Sequence, residues 1–351
     1  MKAAVFDEFG GSIDIRQVPD PVPPSGGVVL QVEANGVCRS DWHGWVGHDR
    51  SIPLPHVPGH EMAGTVAAVD AGVTRFSVGD RVTVPFVLGC GSCPQCSAGN
   101  QHVCDNQYQP GFSGWGSFAE YVALPYADEN LVALPDGMAP TTAAGLGCRF
   151  ATAFRAVVDQ GQVNDETVVA VWGCGGVGLS AIMIASALGA TVIAVDIDDD
   201  ALALATSCGA NHTVNTAAQE SSPDPVKFVR ELSGGGVGVS IDALGSTETA
   251  VASIRSLTTR GRHIQVGLMI GEDARPVIPM WRLHASEIEL YGSHGMQAWR
   301  YPAMLEMVAD GRLAPDTLVT SSLNLTDGIA HLTKMASFPG TGFVVVDSFD
   351  A

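Results

Sequence analysis

Residues 167 to 196 impose the strongest constraint on what this chain can fold into. Thr167-Val168-Val169-Ala170-Val171-Trp172 reads as a buried strand, Gly173-Cys174-Gly175-Gly176-Val177-Gly178 as a glycine turn, and Leu179 to Leu188 as a helix. A second strand, Thr191-Val192-Ile193-Ala194-Val195, ends in Asp196, 18 residues beyond Gly178. A lone G-x-G-x-x-G run is weak, but with strand, helix and terminal acid in register it marks a dinucleotide site. The amides of that turn and the helix N-terminus would hold the pyrophosphate, and Asp196 would accept from the adenosine ribose hydroxyls. A carboxylate there repels a 2′-phosphate, so NAD is expected in preference to NADP.

Strands expected at Val237 to Ile241, His263 to Val266 and Ile288 to Tyr291 alternate with helical stretches at Pro225 to Leu232 and Thr247 to Leu257. Such alternation implies a parallel, doubly wound sheet. The final segment, with a helix near Tyr301 to Ala309 and a strand at Phe343 to Val346, breaks the pattern and is expected to return to the first lobe. Residues 1 to about 150 differ: short Val-rich runs, Val28 to Val32 and Gly64 to Val69, punctuated by Gly and Pro, suggest a small β barrel or sandwich. Pro19 to Gly27 reads as an irregular surface loop.

Cys90, Cys93, Cys96 and Cys104 are spaced C-x2-C-x2-C-x7-C, with Gly91, Pro94 and Gly99 between them. Four thiolates at about 2.3 Å close a tetrahedral zinc shell, and the Gly and Pro residues let a loop fold tightly around it. The reading is structural zinc, against an iron–sulfur cluster or a redox-reactive loop. A second set, Cys38-Arg39-Ser40-Asp41-Trp42-His43 and Gly59-His60-Glu61, offers a thiolate, an imidazole and carboxylates within one short segment. With Cys148 as a remote donor it meets the three-ligand count of a catalytic zinc; taken singly, Cys38 and His60 could equally be a core thiol and a satisfied histidine.

The 18 basic and 37 acidic residues give a net charge of −19, which disfavours nucleic acid and anionic lipid as partners. No apolar run reaches the roughly 18 residues that span a bilayer, and the N-terminus turns acidic before a signal-peptide core could form. A cytoplasmic protein is expected, in which eight cysteines serve as metal ligands or inert core thiols.

These residues, in this order and spacing, resemble the zinc-dependent medium-chain alcohol dehydrogenases over nearly the whole chain. The resemblance implies an α/β architecture: a GroES-like, β-rich catalytic domain (1–151), a doubly wound Rossmann NAD-binding domain (152–292), and a return to the catalytic domain (293–351). It implies catalytic zinc on Cys38, His60 and Cys148, the last within Gly147 to Thr152, with Glu61 behind the metal and counted among its ligands. Ser40 and His43 match a proton relay that carries the alcohol's proton, by way of a hydroxyl and the nicotinamide ribose, to a histidine near solvent. Asp41 matches a carboxylate that orients the ligating imidazole. Arg39 matches a pyrophosphate contact; Thr152 and Val177 match positions that press on the nicotinamide, and Val266 and Leu268 complete the cofactor-binding set. Trp45 and Phe86 match pocket walls; Trp115 is a third candidate without that warrant. Two departures stand out: Ala201 replaces a frequent lysine near the ribose, and Phe343 replaces an arginine that reaches the pyrophosphate, so weaker cofactor binding is expected. Cys174 and Cys208 are left as packing thiols.

The function expected is reversible hydride transfer from a small-molecule alcohol to NAD, with two zinc ions per chain, in a homo-oligomer, tetramer or dimer. A polyol or amino-alcohol dehydrogenase of the same fold is the rival, against which Cys148 argues, since such relatives often carry Glu or Asp there. A zinc-stabilised nucleotide-binding protein without catalysis needs neither Ser40 nor an open metal position.

Overall fold

The computed structural model describes residues 1–217, 224–337 and 340–349. Along the chain run β1 (Lys2–Val5), β2 (Asp14–Gln17), β3 (Val28–Val37), β4 (Glu61–Val69), β5 (Arg81–Thr83), β6 (Tyr121–Leu124) and β7 (Val132–Ala133). Then come β8 (Val168–Trp172), β9 (Thr191–Asp196), β10 (His212–Asn215), β11 (Val237–Asp242), β12 (Leu257–Gln265) and β13 (Glu289–Gly292), followed by β14 (Val319–Asn324) and β15 (Phe343–Ser348). They fall into two units: Met1–Ala151 with Gly295–Asp310 and Ala314–Ala351, and Thr152–His294 with Gly311–Leu313.

The first unit is built on a seven-stranded sheet in the order β14-β15-β3-β4-β5-β7, with β6 also on β3. β3 is its axis. Its residues VVLQVEANGV are buried almost throughout because it pairs with β4, β6 and β15 along its length, and a strand covered on both faces needs apolar side chains on both. Val28, Leu30 and Val32 pack with Met62, Val66, Val82, Val84, Leu88, Val122 and Leu124. Each such side chain contributes about 1.5–3 kcal/mol on burial. The β3–β4 register shifts between Val32 and Ala34, and a side chain at Gly64 would lie 1.9 Å from the Gln31 carbonyl oxygen, so only glycine fits that crossing. β15 adds antiparallel to β3, Val345 opposite Gly36, and brings Phe343 to the same end of the sheet as Glu61.

The second unit is a six-stranded, all-parallel sheet in the order β10-β9-β8-β11-β12-β13. The chain winds outward from β8 to β10, then crosses back to β11 on the other side of β8, which makes the carboxyl end of β8 the switch point where such sheets bind ligands. Helix Gly176–Ala187 covers β8 with Leu179, Ile182 and Ile184, all fully buried. The strand expected at His263 to Val266 is the longer β12, which ends at Gln265: the Val266 amide makes the last ladder bond, to the Asp242 carbonyl, and the Gly267 amide turns onto the same oxygen. Among the described residues, no helix is long and apolar enough to cross a membrane.

Candidate active site

Cys38 ends the β3 segment and caps helix Arg39–Trp45, in extended backbone. Asp41, three residues on, accepts from the Cys38 amide at 3.3 Å, the reciprocal bond of a capping box. The same carboxylate reaches the next element: Oδ1 accepts from the Gly59 amide at 2.9 Å and from His60 Nδ1 at 2.8 Å. Gly59 has φ +110°, and a Cβ there would stand 2.7 Å from the Phe118 amide, so the turn that aims His60 inward requires glycine. Cys148 lies in the π-helical turn Leu146–Phe150, whose Leu146 carbonyl is capped by the Tyr301 hydroxyl at 3.1 Å.

One ligand atom from each of Cys38, His60, Glu61 and Cys148 lies within 4.8 Å of the others. With its Nδ1 proton given to Asp41, His60 must turn the lone pair of Nε2 toward the thiols, and that buried atom has no hydrogen-bond partner among the described residues. Burial opposes a proton on His60, but Asp41 and Cys38 outweigh it and push its pKa up. Hydrogen bonding from Cys148 pulls Cys38 down and pushes Cys148 up. The pocket therefore attracts a cation, and an orphaned imidazole nitrogen facing two thiols fits zinc. Glu61, expected among the ligands, sits in the cluster but is engaged elsewhere: Arg149 donates from its amide at 3.0 Å and from Nε at 2.9 and 3.0 Å to the two oxygens, with Nη2 closing the fork on Oε2. Sequence reasoning missed Arg149 although it adjoins Cys148.

The loop Cys90 to Cys104 gathers its four sulfurs within 4.8 Å of one another, with Cys93 and Cys104 Sγ at 3.6 Å. A tetrahedron with arms of about 2.3 Å has edges of about 3.8 Å, so the set fits one zinc ion. Backbone amides already point at sulfur: Cys96 to Cys93 at 3.4 Å, and Cys90 and Asn106 to Cys104 at 3.3 Å. The Ser92 amide helps pull Cys90 down to about 6, whereas burial pushes Cys96 up to about 12, so that thiol ionises only against a cation. Trp299 and Gln297 fasten the loop through the Gly99 carbonyl at 3.1 and 3.0 Å.

Ser40 and His43 occupy the first and second turns of helix Arg39–Trp45. Burial and the nearby Arg39 charge hold His43 down at about 4, so the ring is neutral at neutral pH. Arg39 donates to the Met335 carbonyl at 3.0 Å and lies over Trp42. Of the expected pocket walls, Phe86 lies edge-on to His60 with ring centroids 6.0 Å apart. Trp45 and Trp115 are tethered by their indole nitrogens to the Gly11 and Pro55 carbonyls at 2.9 and 3.0 Å. Phe112, which no spacing rule singled out, packs on His60 at 5.4 Å.

In the second unit, Gly173 has φ +94° and a Cβ on Gly178 would stand 1.8 Å from its carbonyl oxygen, while one on Gly175 would meet open space. The turn thus closes tightly on the protein and leaves an uncovered backbone outward, as close approach by a pyrophosphate demands. Gly176 and Val177 begin the helix, with amides directed along its axis. Asp196 ends β9 and accepts from the Cys174 amide at 2.5 Å and from the Ile197 and Asp198 amides at 2.7 and 3.1 Å, leaving about one lone pair, on Oδ2, for a further donor. Thr152 is buried with its hydroxyl unpartnered among the described residues. Leu268 is exposed, and Val266 beside it half-buried. The loops at this end are organised by a residue the sequence reading omitted, Asp242, which accepts from Leu244 and Gly245 amides, Thr249 and Gln265. Its signal, an acid at the end of an apolar strand with glycine three residues on, is readable in Ile241-Asp242-Ala243-Leu244-Gly245.

The sequence model of the alcohol dehydrogenase GroES-like domain matches residues 24–136, and that of the zinc-binding dehydrogenases matches residues 176–310. The chain is 33% identical over 317 residues to an alcohol dehydrogenase of Geobacillus stearothermophilus, covering 90% of each. It is 31% identical over 352 residues to an NAD-dependent alcohol dehydrogenase of Sulfurisphaera tokodaii, covering 97% of this chain and 98% of that protein. The alcohol dehydrogenase of Aeropyrum pernix has a structure similar to it with a TM-score of 0.88 at 29% identity, covering 99% of this chain and all of that one. With both domain families matched in order and a relative this similar along nine-tenths of its length, the chain belongs to the zinc-dependent medium-chain alcohol dehydrogenases.

Proposed function

We propose that the protein catalyses reversible oxidation of a primary or secondary alcohol to an aldehyde or ketone with NAD. The observation that carries this is the orphaned His60 Nε2 facing Cys38 and Cys148: three donors with room for one more partner. Bound zinc supplies a Lewis acid there, and NAD a hydride acceptor. Cys38, His60 and Cys148 hold the metal, Asp41 fixes the imidazole's tautomer, and Phe86 and Phe112 present apolar edges to an alcohol. Ser40 takes the proton the alcohol loses, and neutral His43 passes it toward solvent. Arg39, Gly173, Gly175, Gly176, Gly178 and Asp196 bind the dinucleotide, with Thr152, Val177, Val266 and Leu268 lining its nicotinamide end. Cys90, Cys93, Cys96 and Cys104 hold the second zinc and do no chemistry.

Eight free cysteines, six of them in these two sites, support a reducing, cytoplasmic setting. A homo-oligomer is supported by edge strand β13, an open sheet edge on which Leu290 and Tyr291 are exposed. NAD reduction measured across primary, secondary, aromatic and polyhydroxy alcohols tests the activity. Turnover confined to polyhydroxy alcohols would replace this reading with a polyol dehydrogenase, and no turnover of any class by the zinc-loaded protein would end it.

A further inference from the structure

The Arg149–Glu61 pair is more elaborately built than a packing role requires. Both side chains are nearly sealed from solvent, and the guanidinium takes both carboxylate oxygens. Three further features shape the seat. Gly36 carries no side chain where a Cβ would lie 2.2 Å from Glu61 Oε2 and 2.9 Å from Arg149 Nη2. Phe343, delivered by β15, stacks on the guanidinium at 4.1 Å. Gly145 makes room for that ring, since a Cβ there would stand 2.6 Å from it. Yet Glu61 belongs by distance to the same cluster as Cys38, His60 and Cys148. A free carboxylate in that place would complete a four-donor shell and leave no position for substrate.

We infer that Arg149 is a positioning residue that withholds Glu61 from the metal and so keeps the fourth coordination position open. The inference rests on the three-ligand site proposed above. The fork does what a lone charge cannot: two oxygens are held in fixed directions by a planar donor set, whereas lysine would hold one and leave the other free. Phe343, at a position expected to cost the protein a cofactor contact, instead braces the clamp.

The test uses the full-length, metal-loaded protein. Elemental analysis comes first; fewer than two metal ions per chain would sink the three-ligand reading itself. With two present, the cobalt(II)-substituted protein is titrated with imidazole, which binds only where a coordination position is open, and the visible absorption is followed. Arg149→Lys should change the cobalt spectrum before imidazole is added and weaken imidazole binding about 10- to 100-fold, the range typical of partners one step out from a metal. Arg149→Met should weaken it further, and Arg149→Met combined with Glu61→Gln should restore it. Parent-like spectrum and affinity in Arg149→Lys would overturn the inference. So would a double variant that stays closed, because Arg149 would then act through something other than Glu61. If Arg149→Met fails to fold, Arg149→Lys and the double variant, neither of which leaves a buried carboxylate without a cation, decide the matter.

Discussion

The Nδ1 atoms of His43 and His48 face each other at 2.8 Å, with Trp42 edge-on to both rings. Two ring nitrogens in that relation hold one proton between them, one donating and the other accepting. His43, held near 4 chiefly by burial, binds its proton more weakly folded than unfolded, where histidine titrates near 6.5. The unfolded chain therefore takes up the proton first on acidification. Stability is unaffected by this group above about 6.5 and falls as pH drops toward about 4. Replacing His43 by Gln should shrink the loss of melting temperature between neutral and mildly acid pH; an unchanged loss would show that His43 titrates normally.

Ser40→Ala should lower turnover by about 10² to 10⁴, the usual worth of a proton-transfer group, while zinc content and NAD binding persist. Pre-steady-state hydride transfer followed from pH 5 to 10 separates this from a packing effect. Parent-like rates across that range would make Ser40 a structural hydroxyl.

The two cysteine sets should fail differently. Cys148→Ser should abolish turnover with little change in melting temperature, and Cys96→Ser should lower the melting temperature and release one zinc. Elemental analysis, calorimetry and activity on the same preparations check this, and identical behaviour of the two variants is the adverse result.

Asp196→Gly should relax the preference for NAD over NADP by removing the carboxylate that repels a 2′-phosphate. The ratio of kcat/KM values measures it, and equal efficiency in the unmodified protein contradicts the assignment.

Gly36→Ala places a methyl group against Glu61 and Arg149 and should cost about 1–3 kcal/mol of stability, as overpacking does. Urea unfolding reads the change; neutrality would mean that the clamp shifts freely.

Features that depend on local order were legible in the sequence. The four-cysteine loop, the Gly173 to Gly178 turn and the Cys38–Asp41 cap each lie within a few residues, where ligand spacing or helix capping dictates the type. What was not legible depends on sheet register. Arg149 and Glu61 are 88 residues apart, and nothing in either neighbourhood announces the other. Phe112 reaches His60 from a loop without periodicity, and Phe343, expected as a lost cofactor contact, became a core ring because β15 docks beside Gly36. The turn carrying Cys148 is π-helical, a geometry that residue propensities do not encode.

The antiparallel pairing of β15 with Asn35, Gly36 and Val37 has a consequence for synthesis. Domains tend to fold as units while the ribosome adds residues from the N-terminus. The second unit draws all but three of its residues from the single run Thr152–His294, so it can fold soon after that run emerges. The sheet that carries Cys38 and His60 must wait with the far end of β3 unpaired on that side until Phe343–Ser348 has been made. The half of the protein translated first is therefore the last to be finished, and the ring that braces Arg149 beside the metal ligands arrives only with its final strand.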